Sequence, residues 1–207
     1  MIKAIKLKKN VIFVIIFCMI IAFLYYKNFL FGNNIIKTRV DNKIEEILNN
    51  TNNYTAEISA TITSNKTQNS FVIYQEVNNE YSMQEVKEGE NAIGVKIEIN
   101  QNNLKISNTK LNLEKVYEDY NDLLNNAMFL NSFANDYRNP DNDSNYYEEN
   151  EDIILEVNLN SSQNTYIKYK KLYINSKTLK PTKLEIKSHR KKETICIVYN
   201  NIELKNS

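Results

Sequence analysis

This chain has no tryptophan, one histidine, two cysteines, three glycines and two prolines in 207 residues, and each scarcity closes a class of function. The lone His189 cannot supply a zinc site built on a His pair, and it has no Cys-His dyad in reach, because Cys196 lies well along the following strand. Gly32, Gly89 and Gly94 stand isolated, so no glycine-rich loop can cradle a phosphate. Neither G-x-S-x-G nor H-E-x-x-H occurs. The chain therefore reads as a non-enzymatic protein that folds without metal or cofactor. Cys18 sits inside an apolar run and Cys196 in a C-terminal strand, so no intramolecular disulfide forms and the core alone must hold the fold.

Long hydrophobic runs are scarce as well, with one exception: "VIFVIIFCMIIAFLYY", Val11 to Tyr26. As a helix rising about 1.5 Å per residue it covers about 24 Å, and Lys9 and Lys27 can snorkel to extend it toward a hydrocarbon core of roughly 30 Å. Val11, Ile15, Phe17, Cys18, Ile21 and Phe23 form the apolar body of the anchor, and Tyr25 and Tyr26 suit the interface. Lys3, Lys6, Lys8 and Lys9 precede it without an acid, which keeps the N-terminus cytoplasmic. The expected organisation is a cytoplasmic basic tail over 1–10, a transmembrane signal anchor over 11–26, a linker over 27–34 and an extracytoplasmic domain over 35–207. Cleavage would need an A-x-A-like site, and "FLYYKNFLFGNN" offers only Gly32. Acylation of Cys18 would need a small residue before it, where Phe17 stands. The anchor is read as the helix itself.

Residues 1–34 hold five lysines and no acid, so of 26 basic and 25 acidic residues the exported part keeps 21 and 25, a net charge near −4. Such a balance disfavours nucleic acid as a partner.

After the linker, Ile36, Val40, Ile44 and Ile47 fall on one face of an amphipathic helix that ends at an Asn cluster. Tyr54, Ala56, Ile58, Ala60 and Ile62 then alternate as a strand, and "SFVIYQEV", "EYSMQEV", "AIGVKIEI" and "LKIS" continue a meander of five. From Glu114 to Arg138 the period changes, with Val116, Tyr120, Leu123, Ala127, Leu130, Ala134 and Tyr137 spaced for a helix or helix pair. Tyr117, Leu124, Met128, Phe129 and Phe133 broaden its stripe, and Leu123, Leu124, Met128, Phe129, Leu130 and Phe133 are the candidates to fill a cavity or core. A polar loop, "NPDNDSNYYEEN", leads into four further strands, among them the hairpin "LYINSKTLKPTKLEIK", in which Leu172, Ile174, Leu184 and Ile186 alternate about a Lys-Pro turn. The order predicts an α+β fold: a curved antiparallel half-barrel of nine or ten strands around two helical segments, preceded by one transmembrane helix. Its interior is either a packed core or a lipid-sized cavity.

Asp141, Asp143, Asn145, Tyr147, Glu149 and Asp152 fall on the ligand positions of an EF-hand loop, but Tyr146 occupies the position that requires glycine and a strand follows in place of a helix. We read a solvated acidic loop. It contrasts with the basic tip of His189, Arg190, Lys191 and Lys192; such charge runs are in the first place solubilising faces, and the alternative is a polarised surface on which the tip docks a partner.

The runs "LYINSKTLKPTKLEIKSHRKKETICIVYNNIEL" and "YTAEISATITSNKTQNSFVIYQEV" resemble the LolA-like lipoprotein-carrier fold, and more closely the GerS-type germination lipoproteins of clostridial spore formers. The resemblance covers roughly Ile36 to Leu204 and is carried by phrases such as "NSKTLKPTKLEI" and "YNNIEL". It implies a half-barrel over internal helices and a non-enzymatic partner of a cell-wall amidase, the zinc enzyme that prepares spore cortex for degradation. The alternative it implies is a LolA-like protein that binds lipid or lipoprotein in the half-barrel. That family is anchored through a lipidated cysteine, a point on which Phe17-Cys18 departs.

Overall fold

A computed structural model of the chain describes residues 40–64, 66–100, 103–118, 127–160, 167–190 and 193–205. The expected anchor over 11–26, with Leu123, Leu124, Lys191 and Lys192, lies outside them. Among the described residues no helix is long and apolar enough to cross a membrane. The chain divides into two compact units, Met1–Glu45 and Glu46–Ser207. Residues 40–45 of the first are helical, with Ile44 buried, and helix α1 (40–50) ends in the second.

The second unit is built on one 11-stranded antiparallel sheet. Its strands are β1 (Tyr54–Thr63), β2 (Gln68–Val77), β3 (Tyr81–Glu88), β4 (Val95–Asn100), β5 (Asn103–Asn108), β6 (Leu113–Tyr117), β7 (Asp143–Glu149), β8 (Asp152–Asn158), β9 (Tyr169–Asn175), β10 (Pro181–Lys187) and β11 (Glu193–Leu204). The order β6-β5-β4-β3-β2-β1-β11-β10-β9-β8-β7 describes two meanders sewn together at the middle. There the first and last strands pair from Tyr54↔Leu204 to Ile62↔Ile195, with a bulge at Glu57/Ile58. The chain must therefore travel from one sheet edge, β6, to the other, β7, and helix α2 (Leu130–Arg138) lies on that passage.

Alternation decides which face is core. Tyr54, Ala56, Ile58 and Ala60 of β1 are buried, as are Leu172 and Ile174 of β9, Leu184 and Ile186 of β10, and Ile197 of β11. Phe129, Leu130 and Phe133 from α2 and its entry, and Ile47 and Leu48 from α1, are buried too. The hairpin read as a Lys-Pro turn is closed by Asn175 instead: its side chain accepts from the backbone of Lys177 and Thr178, while buried Pro181 opens β10.

Two readings are corrected. The segment from Glu114 is not the start of a helix: residues 113–117 form β6, because Asn108 accepts from the amides of Lys110 and Leu111, Asn112 turns at φ 52°, and Leu113 and Tyr117 pair with Asn108 and Leu104. The acidic stretch is not a loop either: Asp143–Glu149 is β7, joined to β8 by a tight turn in which Asn150 adopts φ 57°. A strand cannot wrap a calcium ion in the EF-hand manner. These two strands raise the expected nine or ten to eleven.

Candidate binding surfaces

The entry to α2 is pinned by a buried polar network. The Tyr54 hydroxyl donates to Gln75 Oε1 (3.1 Å) and accepts from the Leu130 amide (3.2 Å), and Gln75 Nε2 donates to the Met128 carbonyl (3.3 Å). Three groups that would otherwise be orphaned under the helix are thereby satisfied. Burial pushes the Tyr54 phenol far above its usual pKa. Below the helix, Lys170 of β9 donates to Asp136 Oδ2 (2.5 Å) and Ser132 Oγ (3.1 Å). Its burial lowers the lysine pKa and the Asp136 charge opposes that shift.

Among the sequence-predicted core candidates, Met128, Phe129, Leu130 and Phe133 are all buried, Leu130 and Phe133 completely. Phe133 stacks on Tyr137 at 5.9 Å. His189 and Arg190 are exposed in the turn between β10 and β11.

On the opposite sheet face β7 to β10 carry two adjacent cross-strand rows. One is Asp143, Asn158, Tyr169, Lys187, and the other is Asn145, Glu156, Lys171, Glu185. Lys171 Nζ donates to Glu156 (2.5 Å) and to the Tyr147 hydroxyl (2.8 Å). Burial works against its charge, yet these partners hold its pKa above the usual lysine value. Buried Glu185 is flanked by Lys183 (2.7 Å) and Lys187 (2.8 Å); burial raises its pKa, but the two ammonium groups bring it below the usual carboxylate range. Lys183 also lies 4.0 Å from the Tyr173 ring centre. The members of both rows other than Glu185 line a cavity of about 400 Å³, to which Val157 and Lys170 of the intervening positions also contribute. Sequence reasoning missed it, since its members span 143 to 187 and meet only through strand register.

The far end of the sheet is different in kind. Of the seven exposed large hydrophobic residues among those described, Ile93, Ile106, Leu111, Leu113, Val116 and Tyr117 lie in or beside β4 to β6, and only Val198 lies elsewhere. β6 is exposed along its whole length, and among the described residues no strand pairs with its outer side. Among the described residues no cluster of three or more His, Cys, Asp or Glu is placed to hold a metal ion.

No family model matches the chain, and no curated protein matches it. Solved structures do. A chain from the structure of the CwlD amidase from Clostridioides difficile in complex with the GerS lipoprotein is similar at 18% identity and a TM-score of 0.51, over 82% of this chain and 96% of that one. An uncharacterized conserved protein from Thermus thermophilus is similar at 10% identity and a TM-score of 0.50, over 82% of this chain and 89% of that one. At these identities the likeness is one of fold. The open curved antiparallel sheet with two helices is consistent with a LolA-like half-barrel.

Proposed function

We propose that this chain is a membrane-anchored extracytoplasmic binding protein, without catalysis of its own, that partners a cell-wall amidase acting on spore cortex in sporulation or germination. The observation that carries a protein-binding role is the apolar surface gathered at the β6 edge, where Leu111, Leu113 and Val116 are 66%, 62% and 49% exposed. Such a patch on an open strand edge is the surface another polypeptide would cover. The wall amidase as that polypeptide is supported by the fold shared with a chain of the amidase and GerS complex. The charged tip at His189 and Arg190, followed by Lys191 and Lys192, steers the encounter, and the helix over 11–26 keeps the domain at the membrane surface.

The alternative, carriage of a lipid or lipoprotein inside the half-barrel, has less support, because Phe129, Leu130 and Phe133 occupy the interior beneath α2. The test is co-expression of the full chain with the wall amidase of the same organism, affinity purification through a tag on the chain, and an amidase assay with and without it. A stoichiometric complex is expected. Purification of the chain alone, or with extractable lipid in place of the amidase, would overturn the reading.

A further inference from the structure

We infer that the outer edge of β6 takes an extended segment of the partner as a twelfth strand, and that this segment sets an acidic residue between two apolar ones in the pattern apolar-x-acid-x-apolar. The inference rests on the reading of that edge as the protein-binding surface and specifies what the partner brings to it.

A strand at the end of a sheet turns half of its backbone N–H and C=O groups outward, and among the described residues nothing pairs with those of β6. An incoming strand satisfies them, whereas a helix laid over the edge would leave them unpaired. Backbone pairing also fixes where side chains go. Tyr117 lies in the cross-strand row that runs through Leu104, Ile99, Ser82 and Val77 to buried Tyr54. Tyr117, Lys115 and Leu113 therefore stand on the core face of the sheet, and Glu114 and Val116 on the other.

Charge then selects the partner residue. Glu114 is already matched by Lys105 at 2.7 Å. Lys115 is not: its ammonium lies 4.7 Å from the Tyr117 ring centre, and no carboxylate among the described residues pairs with it. A strand covering this edge shields Lys115 from water between two apolar neighbours, and an acid directly opposite is what compensates it. Leu113 and Tyr117, 62% and 37% exposed, select apolar side chains at the flanking positions of the same face. The pattern reads the same in both directions, so it holds for either strand polarity.

A second copy of the chain fits less well. Two β6 strands paired along their full length about a two-fold axis would set Lys115 opposite Lys115, like charges with no acid between them. The β7 edge is no substitute, because Glu148 and Glu149 would repel the acid.

Fluorescence polarisation on the full chain in detergent tests this with two labelled peptides, Thr-Val-Thr-Glu-Thr-Val-Thr and its counterpart with lysine in place of the glutamate. The acidic peptide is expected to bind about tenfold more tightly, and Lys115→Glu should reverse that order, since the charge opposite has been exchanged. Lys115 is exposed on an edge strand, so the variant keeps the fold. No binding of either peptide, equal affinities, a preference that survives Lys115→Glu, or dimerisation of the chain that is lost in Leu113→Asp would overturn the inference. Capture of the wall amidase by the same two chains separates the inference from the reading beneath it. A complex equally strong with Lys115→Glu overturns the pattern and leaves the partner standing, whereas absence of a complex overturns the partner, and the peptides still decide the pattern.

Discussion

The Lys170 ammonium stands 2.5 Å from the Asp136 carboxylate, a lysine 2% exposed on the core face of β9 held by an acid 29% exposed on α2. The pair ties the helix to the sheet, but it also makes Lys170 depend on Asp136, because an unpaired charge in that position has no solvent to turn to. Asp136→Ala is expected to destabilise the fold by about 2 kcal/mol, reduced from a fully buried pair by the partial exposure of the acid. Adding Lys170→Met should recover most of that loss. Urea unfolding of the three variants decides it, and equal losses in the single and double variants would contradict the argument.

Tyr199 presents the converse case, a buried hydroxyl with no hydrogen-bond partner on β11, the strand that joins the two meanders at β1. Tyr199→Phe removes the orphaned group and keeps the ring, so it should stabilise the fold by about 1 kcal/mol. The effect should grow with pH. Burial raises the phenol pKa in the folded state, so the folded chain retains a proton that the unfolded chain loses above its ordinary value near 10. Stability from this group is therefore complete below that pH and declines as pH rises beyond it. Tyr54 acts in the same direction, as does Tyr81, which burial and its hydrogen bond to Glu98 push up to about 12. Thermal midpoints between pH 8 and 11 should fall less steeply in Tyr199→Phe, and parallel curves would refute the assignment.

Gly94 turns the chain into β4 at φ 84°, where a β-carbon would meet Thr109 Oγ1 at 2.8 Å. Thr109 donates its amide to the Gly94 carbonyl (3.0 Å), so the two turns of neighbouring hairpins are locked together. Gly94→Ala should cost about 1–2 kcal/mol through left-handed strain and the displaced threonine. An unchanged midpoint of chemical denaturation would show that the turns give way without penalty.

How far the sequence disclosed this fold depends on the length and regularity of each signal. Tyr54 to Ala60 and the Leu172 to Ile186 hairpin alternate cleanly, and their apolar positions are the buried ones. β6 and β7 were illegible because their alternation is mixed. In 113–117 the spacing from Val116 through Tyr120 imitates a helix, and in 143–149 four acids and amides mask the pairing of Tyr146 with Leu155. The asparagines at 112 and 150, both in left-handed turns, were the local clues. The polar rows left no local clue, since Asp143, Asn158, Tyr169 and Lys187 become neighbours only when four strands adopt one register.

The two edges of the sheet are unequal, and that inequality makes the last prediction. β7 carries Asp143, Glu148 and Glu149, charges that discourage another strand from adding to it, whereas β6 balances Glu114 against Lys115 and exposes Leu113, Val116 and Tyr117. An edge left unguarded and apolar gains most when a partner covers it. Val116→Asp and Leu113→Asp leave the buried core untouched, so each should shift the thermal midpoint little, consistent with substitutions at exposed sites. Each should nevertheless weaken amidase co-purification about tenfold or more, by placing an unpaired charge in the covered surface. Arg190→Glu, at the exposed tip, should instead slow association and make it less dependent on salt. If complex formation survives both β6 variants and fails in Arg190→Glu, the partner docks at the basic tip and the apolar edge serves another purpose.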